Sequence, residues 1–137
     1  MAEERNKKNW LNGLLDSCQQ ELEARSVPCE RSCANELGFE IKGVHFSLSF
    51  EDHDDGFIKL SVVVDGKKFP YGRKRLLEAI NSANLDTKVA KVYIDSLGDL
   101  NFNAELYINP AMDFNRILKR HIKAVLACIR EVKLKLE

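Results

Sequence analysis

Residues 45–66 read HFSLSFEDHDDGFIKLSVVVDG, and this stretch decides the fold class. At its start Phe46, Leu48 and Phe50 alternate with His45, Ser47 and Ser49. Near its end Ile58, Leu60, Val62 and Val64 share one side, with Lys59 and Ser61 opposite. A period of two is that of a strand, whose successive side chains point to opposite faces. The acidic run between them ends in Asp55-Gly56, a pair suited to the positive φ angles of a tight hairpin turn. Asp65-Gly66 closes the second strand in the same way. The reading is a hairpin with one apolar and one polar face, made to cover a core on one side only.

Working outward, the period changes to that of a helix. Upstream, over 7–25, Trp10, Leu14, Cys18 and Leu22 recur every four residues with Leu11 and Leu15 beside them, an amphipathic stripe. Pro28 breaks it. Residues 29–37 fit either a short helical turn or a loop, and Phe39 and Ile41 allow a short extra strand. Downstream, a helix over 70–84 would bury Leu76, Leu77 and Ile80, with Asn81 and Asn84 near its end, where Asn tolerates left-handed backbone or bonds free carbonyls. A second hairpin occupies 88–108. Val92 and Ile94 share a face, 97–99 turn the chain, and Phe102, Ala104, Leu106 and Ile108 alternate with Asn101, Asn103, Glu105 and Tyr107. Asn109-Pro110 ends this strand, because proline cannot donate to the ladder. The last helix, over 111–136, carries Leu118, Ile122, Val125, Ile129, Val132 and Leu136, widened by Phe114, Ile117, Ala124 and Cys128. Such a broad stripe can cover a sheet and leave an edge for a partner. The order α-β-β-(β)-α-β-β-α predicts one α+β domain over 1–137, in two layers. An antiparallel sheet of four to five strands carries helices on one face.

Composition narrows the function classes. Lys and Arg total 21, as do Asp and Glu, and zero net charge argues against a general nucleic-acid binder. The charges are unevenly spread: residues 36–56 hold six acids and one base, residues 111–137 seven bases and three acids. The charged N-terminal stretch lacks an apolar segment of the kind a secretion signal needs, and no apolar run approaches the ~20 residues that span a bilayer. The expectation is a cytoplasmic protein that does not enter membranes, with its four cysteines as free thiols.

Three segments also resemble a known family. They are Leu76-Leu77-Glu78-Ala79-Ile80-Asn81-Ser82-Ala83-Asn84, Lys88-Val89-Ala90-Lys91-Val92-Tyr93-Ile94-Asp95 and Gly98-Asp99-Leu100-Asn101-Phe102. Together they are similar to the YbjN-like family of candidate bacterial sensory transduction regulators: a helix ending in an Asn-x-x-Asn pair, then a hairpin with an acidic-glycine turn. The resemblance covers the C-terminal half in local text and the N-terminal half in element order. It implies the fold of type III secretion chaperones, often paired as homodimers, in domains that hold proteins and do no chemistry.

Cys29-x-x-x-Cys33 would put two thiols on one helix face, but zinc takes four ligands and no second pair follows. The run 51–56 lacks the ligand spacing of an EF-hand loop. No signature ties His45, His53 or His121, as a base, to a cysteine nucleophile, and no glycine-rich phosphate loop is present. No cofactor is expected. Arg73, Lys74 and Arg75 crowd three bases into the first turns of a helix, where the macrodipole favours acids; simple solvent exposure is the plain reading, and a place for an anion or an acidic partner the functional one. The leading expectation is a protein-binding module without catalysis, using Arg73, Lys74 and Arg75 or a groove beside Leu118, Ile122 and Val125, and forming a homodimer. The competing reading is a small-ligand sensor or enzyme whose site the fold assembles. A nucleic-acid binder using the basic last helix ranks third.

Overall fold

Alternation over 45–66 becomes two strands, β3 (Val44–Phe50) and β4 (Phe57–Val64), in the computed structural model, which describes residues 2–51 and 53–137 and side chains from Trp10 onward. Around them lie α1 (Ala2–Ala24), β1 (Cys29–Cys33), β2 (Glu36–Ile41), a single 3-10 turn (Gly66–Lys68), α2 (Arg73–Asp86), β5 (Lys91–Ile94), β6 (Leu100–Tyr107) and α3 (Phe114–Leu136). The six strands are hydrogen-bonded in the order β1-β2-β3-β4-β6-β5. Pairs β1–β2, β2–β3 and β5–β6 run antiparallel. For β4 and β6 the flanking bonds give the same sense. Ile108 N–H, just past β6, donates to the Gly56 carbonyl before β4 (2.8 Å), and Gly66 N–H, past β4, donates to Asp99 Oδ1 before β6 (3.0 Å). The α+β class and the antiparallel sheet therefore stand.

The sheet has six strands rather than four to five, because residues 29–33 form an edge strand. Nothing in Cys-Glu-Arg-Ser-Cys alternates between apolar and polar, since an edge strand with little burial needs no such pattern. Only Cys29 and Arg31 are half-buried there, and pairing with β2 holds the strand in place.

Contacts divide the chain into two compact units. The first comprises Met1–Leu60 with Glu105–Lys119. In it Leu37 stands opposite Leu48 and Phe39 opposite Phe46, so the buried residues of β2 and β3 share a face. The Phe39 and Phe46 rings stack at 5.3 Å between centroids. Each such side chain, fully buried, stabilises the fold by about 1.5–3 kcal/mol. Helix α1 buries Leu11, Leu15, Cys18 and Leu22, spaced 4-3-4, while Trp10 and Leu14 are half-buried. Arg31 of β1 ties back to α1 through Asp16 (2.6 Å). Gly56 is required where it stands: its φ is +79°, and a Cβ there would run into the Ile108 carbonyl.

The second unit comprises Ser61–Ala104 with Arg120–Glu137. Val92 of β5 stands opposite Phe102 of β6, both buried. Their hairpin turns on Asp95, whose Oδ1 accepts from the N–H groups of Leu97 and Asp99 and whose Oδ2 accepts from Asn101 Nδ2 (2.8 Å). Helix α2 buries Leu76, Ala79, Ile80 and Ala83. Leu77, expected inside, is exposed, because it falls one step round the helix from Leu76 and Ile80. Along α3 the stripe Ile122, Val125, Ile129, Val132 and Leu136 is buried throughout.

Beta5 ends the sheet, and its outer edge is covered. The Asn84 side chain of α2 pairs with the Val92 backbone as a neighbouring strand would: Val92 N–H donates to Asn84 Oδ1 (2.9 Å) and Asn84 Nδ2 donates to the Val92 carbonyl (2.9 Å). Thr87 Oγ1 donates to the Ala90 carbonyl (3.2 Å) and to Ala83 (2.9 Å). Lys91 Nζ donates to the carbonyls of Asn84 and Thr87, both at 2.7 Å, and so closes the C-terminal end of α2. Unpaired strand edges invite other chains, and covering them is a common remedy. The addition of a partner strand is obstructed at this edge.

Candidate partner-binding surface

The surface begins at the end of β4. Asp65 Oδ1 accepts from Lys67 N–H (2.9 Å), starting the 3-10 turn, and Phe69 is buried behind it. Anchoring Phe69 leaves Lys67, Lys68 and Tyr71 outside. Gly72 then opens α2. Its carbonyl accepts from Leu76 N–H (3.0 Å), but a glycine has no side chain to cap the helix. Arg73, Lys74 and Arg75 follow, all exposed, before Leu76 turns inward.

These three bases do different things. Arg75 serves the fold: Nη2 donates to the Leu136 carbonyl at the end of α3 (2.6 Å), and the guanidinium lies 4.8 Å over the Tyr71 ring. Arg73 and Lys74 have no carboxylate in ion-pair range among the described residues, and neither do Lys67, Lys68 and Lys133. Lys135, by contrast, is paired with Asp86 (2.6 Å). Between Lys68, Phe69 and Tyr71 on one side and Lys133, Leu136 and Glu137 on the other lies a cleft of about 280 Å³. Phe69 and Leu136, both buried, give it an apolar floor, and cations stand at its rim.

The other expected groove does not exist as a surface. Leu118, Ile122 and Val125 are all buried by the chain itself. The stripe is used up inside the chain. The homodimer expectation keeps its other grounds, the one-sided strands and the family resemblance.

Cys29 and Cys33 lie on a strand, where residues four apart are separated by about 13 Å, so they do not converge as they would on a helix. Cys29 Sγ donates to the Val27 carbonyl (3.5 Å) and Cys33 Sγ to Asn35 Oδ1 (2.8 Å). Cys18 and Cys128 are fully buried. Burial, then the neighbouring Cys29 and Glu21, pushes the Cys18 thiol up to about 12, and burial also raises Cys128. Both are protonated at neutral pH, whereas a nucleophile must be a thiolate. No group of three or more His, Cys, Asp or Glu converges among the described residues. In the acidic turn, Asp54 Oδ2 accepts from Tyr107 Oη (3.2 Å) and its charge raises the Tyr107 phenol, while Glu51 pairs with the exposed His53 (3.3 Å). Asp52 lies outside the described residues. His45 is exposed on β3, opposite Glu40, and His121 is half-buried on α3. No described helix is long and apolar enough to cross a membrane.

Reading along the chain picked out 73–75 but not Lys67, Lys68 or Lys133. A usable signal was present: residues 66–75 hold five bases and no acid.

Two solved structures share this architecture. YbjN from E. coli, described as a candidate transcription regulator, superposes with a TM-score of 0.60 at 17% identity, over 89% of this chain and 88% of its own. An uncharacterised protein from Methanothermobacter thermautotrophicus gives a TM-score of 0.61 at 12% identity, over 87% of this chain and 96% of that one. The fold is YbjN-like, as the resemblance over 76–102 implied. No family model and no curated protein sequence matches the chain.

Proposed function

We propose that this chain is a non-catalytic protein-binding module, a regulatory adaptor or chaperone-like holder working in the cytoplasm, whose contact surface is the basic face at the start of α2. The observation that carries this reading is a shallow cleft lined by Lys68 and Lys133, with the exposed Lys67, Arg73 and Lys74 close to Lys68 and Tyr71 along the chain and none of the five in an ion pair among the described residues. Unpaired cations gathered on one face favour an anionic partner and steer its approach. The buried, protonated thiols support a role without covalent chemistry.

Affinity capture from cells of the source organism tests the reading, with Arg73→Glu/Lys74→Glu as the comparison. Both residues are exposed, so the variant keeps the fold. A protein retained in stoichiometric amount by the natural chain and lost with the variant is the expected result. Turnover of a small substrate, abolished by changing one polar residue, would overturn it.

A further inference from the structure

We infer that the basic face binds an acidic peptide segment, one of whose side chains, aromatic or large aliphatic, enters the cleft between Tyr71 and Leu136. This inference rests on the protein-binding reading and adds the chemistry of the partner.

Charge argues for the acidic part. Of the five bases in residues 66–75, Arg75 serves the fold, on the Leu136 carbonyl and the Tyr71 ring. The remaining four, and Lys133 across the cleft, have no carboxylate in ion-pair range among the described residues, and like charges this close in the chain repel one another. Arg73 and Lys74 also stand at the positive end of the α2 macrodipole. The free protein is therefore mildly destabilised here, and carboxylates arriving from outside relieve the repulsion.

The cleft argues for the apolar part. Phe69 and Leu136 form its floor and Tyr71 a wall, held upright by the Arg75 guanidinium. At about 280 Å³ it takes a side chain rather than a cofactor. Glu137 is the acid in the lining, so the peptide's carboxylates belong on the α2 side, over Arg73 and Lys74.

Nucleic acid meets the same charge less well. Single strands are held by stacking bases on open aromatic faces. Tyr71 is the exposed aromatic at this cleft, and the Arg75 guanidinium lies over its ring. The chain as a whole has no basic excess.

Fluorescence anisotropy with synthetic probes tests the inference. The probes are a short peptide of Glu and Asp around a single Phe, the same peptide with Ala for Phe, its Gln/Asn counterpart, and a single-stranded oligonucleotide. The Phe-containing acidic peptide should bind, and more weakly as salt rises. Arg73→Glu/Lys74→Glu and Lys133→Glu should each weaken it by roughly tenfold or more. Lys123→Glu, exposed elsewhere on α3 and equal in net-charge change to Lys133→Glu, should bind as the natural chain does. Exchange of Phe for Ala should weaken binding as well. The inference is overturned if the acidic peptide fails to bind, if reversal at 73, 74 and 133 leaves binding unchanged, if the Ala peptide binds equally, or if the oligonucleotide binds more tightly. A cellular protein retained through Arg73 and Lys74, together with no binding of the acidic peptide, removes this inference alone; loss of both removes both.

Discussion

Val89 is a β-branched residue held at φ +71°, in the left-handed region where its side chain crowds the backbone. Such a conformation costs about 1–2 kcal/mol and survives only where its surroundings fix it. Here they do: Thr87 bonds both Ala83 and Ala90, and Lys91 bonds the carbonyls of Asn84 and Thr87. The side chain is 56% exposed, so little packing is lost on replacing it. Val89→Asn should therefore raise unfolding free energy by about 1 kcal/mol in urea titration, since Asn tolerates this region; a loss of stability would show that Val89 makes contacts the strain argument ignores. Asp95 offers a test in pH. Hydrogen bonds from Asn101 and from the backbone of Asp99 hold its carboxyl below the usual carboxylate range. The folded state then binds the proton less readily than the unfolded chain. Its contribution is present above the ordinary carboxylate value near 4 and is lost as pH falls through the folded value. Melting temperatures of the natural chain and Asp95→Ala should differ at neutral pH and draw together in acid. A constant gap would assign the difference to something other than the charge.

At the scale of elements, Asn84 is the side chain whose role was least readable. The sequence placed it at a helix end, where an Asn commonly caps, and instead its amide covers the edge of β5. Removing it leaves the Val92 N–H and carbonyl without those partners. Asn84→Ala should cost about 1–3 kcal/mol and, by opening an edge, promote self-association in size-exclusion chromatography. Unchanged stability and unchanged elution would mean that water replaces the amide at no cost. What was legible along the chain was periodicity. The alternation over 45–66 and the stripe from Leu118 to Leu136 describe strands and a helix that bury those residues. What was not legible depended on partners distant in sequence. Residues 29–33 become a strand only because β2 pairs with them, and Leu118, Ile122 and Val125, which looked surplus along the chain, are buried by parts of it distant in sequence.

At the scale of the whole molecule, the proposed surface joins what sequence reading kept apart. Arg73 and Lys74 stood out as a run, but Lys67, Lys68 and Lys133 join them only once the end of α3 comes to lie beside the start of α2. Zero net charge hides this, because acids elsewhere in the chain balance the five bases of residues 66–75. The account therefore stands on where a partner touches. Hydrogen–deuterium exchange of the chain with and without its captured partner measures that directly. Slowed exchange over 67–75 and 131–136, with the sheet strands 44–50 and 29–33 unaffected, is the predicted result. Protection centred on those strands, with 67–75 exchanging as in the free chain, would contradict it.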